Sequence, residues 1–133
     1  MRKILLAYDG TPEADIALDR AAELAKALTA SVGVVSVVPF HPGRIGIDPW
    51  DDTTVHTEEL LKARERLTGL GITPELHRPV GDPAAEIERL AEEHGYDTIV
   101  VGARDLGALA RVLQGSVSEH VATHAHATVV IAR

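Results

Sequence analysis

Apolar positions along this chain recur with two different periods. Lys3 to Tyr8 (KILLAY) is a nearly continuous apolar run that stops at Asp9-Gly10. A run with no polar alternation suits a strand buried on both faces, and so a parallel sheet covered by helices. Thr11-Pro12-Glu13 then supplies a capping residue, a proline at the first helical position and an acid in the first turn. Ala14, Ala17, Ala21, Leu24 and Leu28 follow at helical spacing. Ser31 to Val38 (SVGVVSVV) is rich in β-branched residues and reads as a second strand.

Pro39 to Asp52 (PFHPGRIGIDPWDD) holds three prolines and two glycines and reads as a loop, long enough to suggest a binding loop or lid. Leu60, Ala63, Leu67 and Leu70 mark a second helix ended by Gly71, and Thr73 to Val80 a weaker strand. Asp82-Pro83 caps a third helix with Ala84, Ile87, Leu90 and Ala91 on its inner face and Gly95 at its end. Asp97 to Val101 and Ala127 to Ala132 are the fourth and fifth strands. Between them Ser116 to Ala125 is helical, with Ser116 and Glu119 spaced as a capping box.

The resulting order is βαβαβαβαβ. Helical crossovers between strands give an α/β domain with a doubly wound, five-stranded parallel sheet and helices on both faces, spanning residues 1–133 as one unit. Aromatics are only 3% of the residues, so the core is built from Ala, Val, Leu and Ile. A formal charge of −7 argues against a general affinity for nucleic acid. There is no cysteine, which removes disulfides and thiolate chemistry. The opening apolar run is too short for a signal peptide, and no segment reaches the ~18 apolar residues of a membrane span. A cytoplasmic protein is the expectation.

In such a sheet, ligands bind beyond the carboxyl ends of the strands, where the strand order reverses. The first strand offers Asp9, Gly10 and Thr11 there; the fourth offers Gly102 and the stretch VGARDLGALARVLQGSVSEH. Glycines let backbone N–H groups approach an anion, and the helix starting near Ser116 presents unpaired N–H groups and a positive dipole end. A phosphate cradle is one reading; a plain glycine-rich turn is the other. Neither the P-loop motif nor a G-x-G-x-x-G after the first strand is present.

His120 and His124 lie four apart on one helix face with His126 close by, but no Asp, Glu or Cys completes a metal-ligand pattern. They read as a pH-sensitive surface rather than a metal site. No nucleophile–base pair is tied to a local motif, so no catalytic residue is assigned.

The whole chain resembles a universal stress protein domain. The resemblance rests on its length, the five-strand alternation, the aspartate in AYDG that ends the first strand and the final TVVIAR. The most specific match follows the fourth strand. Nucleotide-binding members carry G-x-x-G, nine residues, then G-[ST]; this chain reads Gly102-Ala-Arg-Asp105, nine residues, then Gly115-Ser116-Val117-Ser118. The resemblance implies a flavodoxin-like, Rossmann-like sheet of order 3-2-1-4-5. It also implies homodimers paired through the last strand, residues 127–132, and ATP bound in some members.

Carried over residue by residue, the resemblance implies that Asp9 faces the adenosine, accepting from ribose hydroxyls or the adenine amine. The backbone around Val38 meets the adenine edge, and Gly102 sits at the mouth. Gly115, Ser116 and Val117 hold the phosphates through backbone N–H groups and the Ser116 hydroxyl. Ser116, Thr11 and Ser118 also read as helix caps. Arg104 and Arg111 pair either with phosphate or with solvent and Asp105. Asp105 departs from the family's second glycine: its carboxylate ~4 Å from a phosphate would cost about 1 kcal/mol in water and more in a drier site. It could instead point outward or share a Mg²⁺ with the phosphates. The implied function is a dimeric stress-response module that binds adenine nucleotide. The alternatives are an interaction dimer without nucleotide and a weak ATPase. Trp50, the only tryptophan, either anchors the long loop or reports its closure over the ligand.

Overall fold

The computed structural model describes residues 2–39, 49–102 and 127–132. Along the chain the elements are β1 (Lys3–Ala7), α1 (Pro12–Leu28), β2 (Ser31–Val35), β3 (Val38–Pro39) and α2 (Pro49–Gly69). They continue with β4 (Glu75–His77), β5 (Val80–Gly81), α3 (Pro83–His94), β6 (Thr98–Gly102) and β7 (Thr128–Ala132). The main sheet has the order β4-β2-β1-β6-β7 with every pairing parallel. Renumbered over its five strands this is 3-2-1-4-5, the flavodoxin-like order that the resemblance implies. The predicted helix at Ser116–Ala125 lies outside the described residues.

Unbroken apolar runs make the central strands two-sided. Ile4, Leu5 and Leu6 are all at 0% exposure. Ile4 and Leu6 face one core with α1 and α2, packed by Ala14, Leu18, Ala21, Ala22, Leu60, Ala63 and Leu67. Leu5 and Ala7 face the other core, with Val35, Leu90, Ala91 and Tyr96. Burying each such leucine or isoleucine contributes roughly 1.5–3 kcal/mol.

Local signals set the helix starts. The Thr11 hydroxyl accepts from the Ala14 N–H and the Asp82 carboxylate from the Ala85 N–H, each followed by a proline at the first helical position.

The structure corrects the sequence reading in three places. The segment Pro39–Asp52 is not a loop throughout: α2 already begins at Pro49, so Trp50 sits in the first turn of a helix. Neither long strand is continuous. The run Ser31–Val38 breaks at Ser36–Val37, and Thr73–Val80 breaks at Arg78–Pro79; the far pieces β3 and β5 pair in a separate two-stranded sheet. Pro79 lacks an N–H and cannot continue a ladder through that point. Leu28 and Leu70 are exposed, 48% and 38%; Leu28 is the last residue of α1 and Leu70 the first beyond α2. The buried arc of α1 is instead Ala14, Ala17, Leu18, Ala21, Ala22 and Ala25.

Candidate functional site

The last ladder bond of β1 runs from the Tyr8 N–H to the Val35 carbonyl, at 3.0 Å, and the chain then turns sharply into α1. Gly10 makes that turn with φ +78°, a backbone region that side chains disfavour. The turn is tied by Asp9: its Oδ1 accepts from the Thr11 N–H at 3.1 Å and from the Thr11 hydroxyl at 2.5 Å. One threonine thus caps the helix and fixes the carboxylate. Asp9 therefore stands at the carboxyl end of β1, beside the boundary between β1 and β6 where the strand order reverses.

Helix α2 brings a second polar group to the same place. A Cβ on Gly10 would lie 3.4 Å from Glu59 Cγ and 3.6 Å from its Oε1, so the glutamate packs against the β1–α1 turn. The Ser36 hydroxyl, just past β2 and 2% exposed, donates to Glu59 Oε2 at 3.0 Å. Its oxygen also lies 2.6 Å from His56 Nδ1, which is 3.2 Å from Glu59 Oε2. A hydroxyl has one hydrogen; with Ser36 donating to Glu59, the His56 Nδ1–H donates to Ser36. Burial pushes the Glu59 carboxyl above the usual carboxylate range and the Asp9 charge adds to this, against the opposing pull of Ser36 and His56.

A further network fixes α2 against the start of α1. The Tyr8 hydroxyl donates to Asp15 Oδ1 at 2.6 Å, and Arg66 from α2 reaches Asp15 at 2.6 Å and Asp19 at 3.1 Å. Burial, and then the Asp15 carboxylate, push the Tyr8 phenol well above its usual range, so it stays a donor at all ordinary pH.

Two residues of the expected site also carry backbone pairing or packing of their own. The Val38 N–H is already used by the Pro79 carbonyl at 2.8 Å, and the Ser36 N–H by the His77 carbonyl at 3.1 Å. Gly102 is required by packing: a Cβ there would meet the Glu13 backbone, 2.7 Å from its carbonyl oxygen. Beside it, Glu13 Oε2 is buried and without a hydrogen-bond partner among the described residues.

The structure thus brings Asp9, Gly10 and Thr11 together, with Gly102 packed on the first turn of the same helix and Val38 held in the short second sheet. Arg104, Asp105, Arg111, Gly115, Ser116, Val117, Ser118, His120, His124 and His126 lie outside the described residues. Ser36, His56 and Glu59 went unnoticed in the sequence. Their only local signal is the i,i+3 spacing of His56 and Glu59, which also fits a solvated helix face. Among the described residues no group of three or more His, Cys, Asp or Glu is placed to hold a metal ion, and no helix is long and apolar enough to cross a membrane.

A doubly wound sheet with an anchored acid at its switch point defines the class: α/β domains that hold ligands at their strand ends. Residues 1–133 match the profile of the universal stress protein family, and the chain belongs to that family. A Staphylococcus haemolyticus protein named for this family is 34% identical over 140 residues, covering 99% of this chain and 84% of that one. The structure of the universal stress protein from Archaeoglobus fulgidus in complex with dAMP superposes with a TM-score of 0.71 at 26% identity, covering 100% of this chain and 98% of that one. A universal stress protein in complex with cAMP gives a TM-score of 0.71 at 25% identity, with 99% and 97% covered.

Proposed function

We propose that this stress-response protein binds an adenine nucleotide at the carboxyl ends of β1 and β6, and that ATP is the form it takes. The observation that carries the reading is Asp9, whose carboxylate is fixed by Thr11 at the point where the strand order reverses. A fixed carboxylate there can accept from ribose hydroxyls or from the adenine amine. The backbone around Val38, past the end of β2, is the part of the chain that would meet the adenine edge. The dAMP and cAMP complexes of the two related proteins support the ligand class. Gly115, Ser116, Val117 and Ser118 complete the reading as the phosphate end, with Arg104 and Asp105 at its rim. Asp105 is the residue that would share a Mg²⁺ with the phosphates.

We further propose that the protein is a cytoplasmic homodimer, the dimer being supported by the last strand. Among the described residues β7 stands at the edge of the sheet beside β6, and its sequence TVVIA offers only Thr128 as a polar residue. An uncovered edge of that composition invites pairing with another chain, and a second copy supplies it. Mass spectrometry of small molecules released on denaturing the purified protein tests the ligand. Recovery of adenine nucleotide in near-stoichiometric amount is expected; protein that carries none and binds none on addition contradicts the reading.

A further inference from the structure

We propose that Glu59 is a specificity-determining residue of this site, presenting a second carboxyl oxygen beside Asp9 so that the pair accepts from the two adjacent hydroxyls of a ribose. The proposal rests on the nucleotide reading above and extends it to a helix, α2, that the sequence did not connect with the ligand.

The geometry gives each carboxyl group one anchored oxygen. Asp9 is held at Oδ1 by both donors of Thr11. Glu59 is held at Oε2 by the buried Ser36 hydroxyl, with His56 Nδ1 at 3.2 Å. Among the described residues neither Asp9 Oδ2 nor Glu59 Oε1 takes a hydrogen bond. Glu59 Oε1 is the oxygen turned toward the β1–α1 turn, 3.6 Å from where a Gly10 Cβ would stand. A Cβ at Gly10 would only touch Glu59 in ordinary van der Waals contact; the glycine is required by the turn's φ of +78°, and that turn sets Asp9 beside Glu59.

Two neighbouring carboxylates repel: burial raises the Glu59 carboxyl, Ser36 and His56 oppose it, and the Asp9 charge adds a smaller push in the direction of burial. Such a pair is best satisfied by two donors at adjacent positions. The 2′- and 3′-hydroxyls of a ribose are that arrangement, each giving one hydrogen to one acid. A 2′- or 3′-deoxy sugar leaves one carboxylate unpaired. The anchors supply pre-organisation: Ser36 and Thr11 hold the acids before the ligand arrives, so little side-chain freedom is lost on binding.

The test is a calorimetric comparison of AMP, 2′-deoxy-AMP and 3′-deoxy-AMP binding to wild type, Glu59→Gln and Glu59→Ala, with thermal melts to confirm folding. Wild type is expected to prefer AMP over at least one deoxy analogue by about tenfold, the scale of one hydrogen bond to a charged group. Glu59→Ala is expected to bind AMP about tenfold more weakly and to lose that preference. Glu59→Gln keeps the shape and one oxygen but not the charge, and falls between. Tripolyphosphate, which reports the phosphate end, binds all three proteins alike. A wild type that binds AMP while Glu59→Ala binds it equally well overturns this proposal alone. So does a Glu59→Ala that weakens all three ligands by the same factor, since that marks a structural role. A wild type that binds no adenine nucleotide overturns the nucleotide reading and this proposal with it.

Discussion

A methyl group on Gly102 would lie 2.7 Å from the backbone carbonyl oxygen of Glu13: the last residue of β6 is pressed against the first turn of α1. The neighbouring atoms are backbone, so they cannot rotate away as a side chain could. Gly102→Ala is therefore expected to destabilise the fold by about 1–3 kcal/mol, the range for overpacking in a core. Urea denaturation of the two proteins measures it. An unchanged midpoint would mean that the first turn of α1 shifts at no cost.

Thr11 serves two partners at once, capping α1 through Ala14 and holding the Asp9 carboxylate. Thr11→Ala removes both bonds. Stability is expected to fall by about 1 kcal/mol from the lost cap. Affinity for AMP is expected to fall as well, because Asp9 then keeps only the backbone N–H of residue 11 as its anchor. Thr11→Ser keeps the hydroxyl and should restore most of both. A serine variant as defective as the alanine would show that the threonine methyl, not the hydroxyl, carries the effect.

On the opposite face, His77 Nε2 lies 2.8 Å from the Tyr96 hydroxyl, which donates to Glu75 at 3.2 Å. Burial and the neighbouring His94 push the His77 imidazole below its usual value; Lys3 adds a smaller push, and Glu75 opposes them. The unfolded chain then takes up its proton at higher pH than the folded one. Below about pH 6.5 unfolding is favoured by that difference, down to the lower pH at which the folded imidazole titrates. Glu59 acts with the opposite sign: its raised carboxyl stabilises the fold in acid and loses that contribution as pH rises through its folded value. Comparing His77→Gln with wild type isolates the histidine. Urea midpoints between pH 7.5 and 5.5 are expected to fall less steeply in the variant; equal slopes would contradict a His77 whose partial burial disfavours its charged form.

Val130 lies in the middle of β7, which is at the edge of the sheet among the described residues, and pairs with Val100 of β6. If a second copy covers that edge, Val130→Lys places a charge in the interface. Light scattering is expected to show wild type as a dimer and the variant shifted to monomer. A monomeric wild type at micromolar concentration would refute the pairing.

What could be read from the sequence follows from how local each signal is. Thr11-Pro12 and Asp82-Pro83 announced their helices because cap and proline act within one turn. Asp48-Pro49 is the same kind of signal, but the prolines and glycines before it made the whole stretch look like a loop, and Trp50 was placed there with it. The run SVGVVSVV does not reveal its break, which depends on pairing with two short strands, β4 and β5, that are separated by Arg78–Pro79. Gly102 was visible as a glycine, yet its reason, the Glu13 backbone, is remote in sequence. Asp9 was legible because it ends an apolar run. Ser36, His56 and Glu59 were not, since only the packing of α2 over the end of β2 brings them together.

The central claim is that an adenine nucleotide sits against Asp9, with its phosphates toward Gly115. Calorimetric titration with ATP of wild type, Asp9→Ala and Gly115→Val tests it most directly, with thermal melts to show that each protein is folded. Saturable binding to wild type is expected, with about tenfold or greater loss in Asp9→Ala and abolition in Gly115→Val. Wild type that gives no binding heat, or variants that bind as tightly as wild type, would contradict the account.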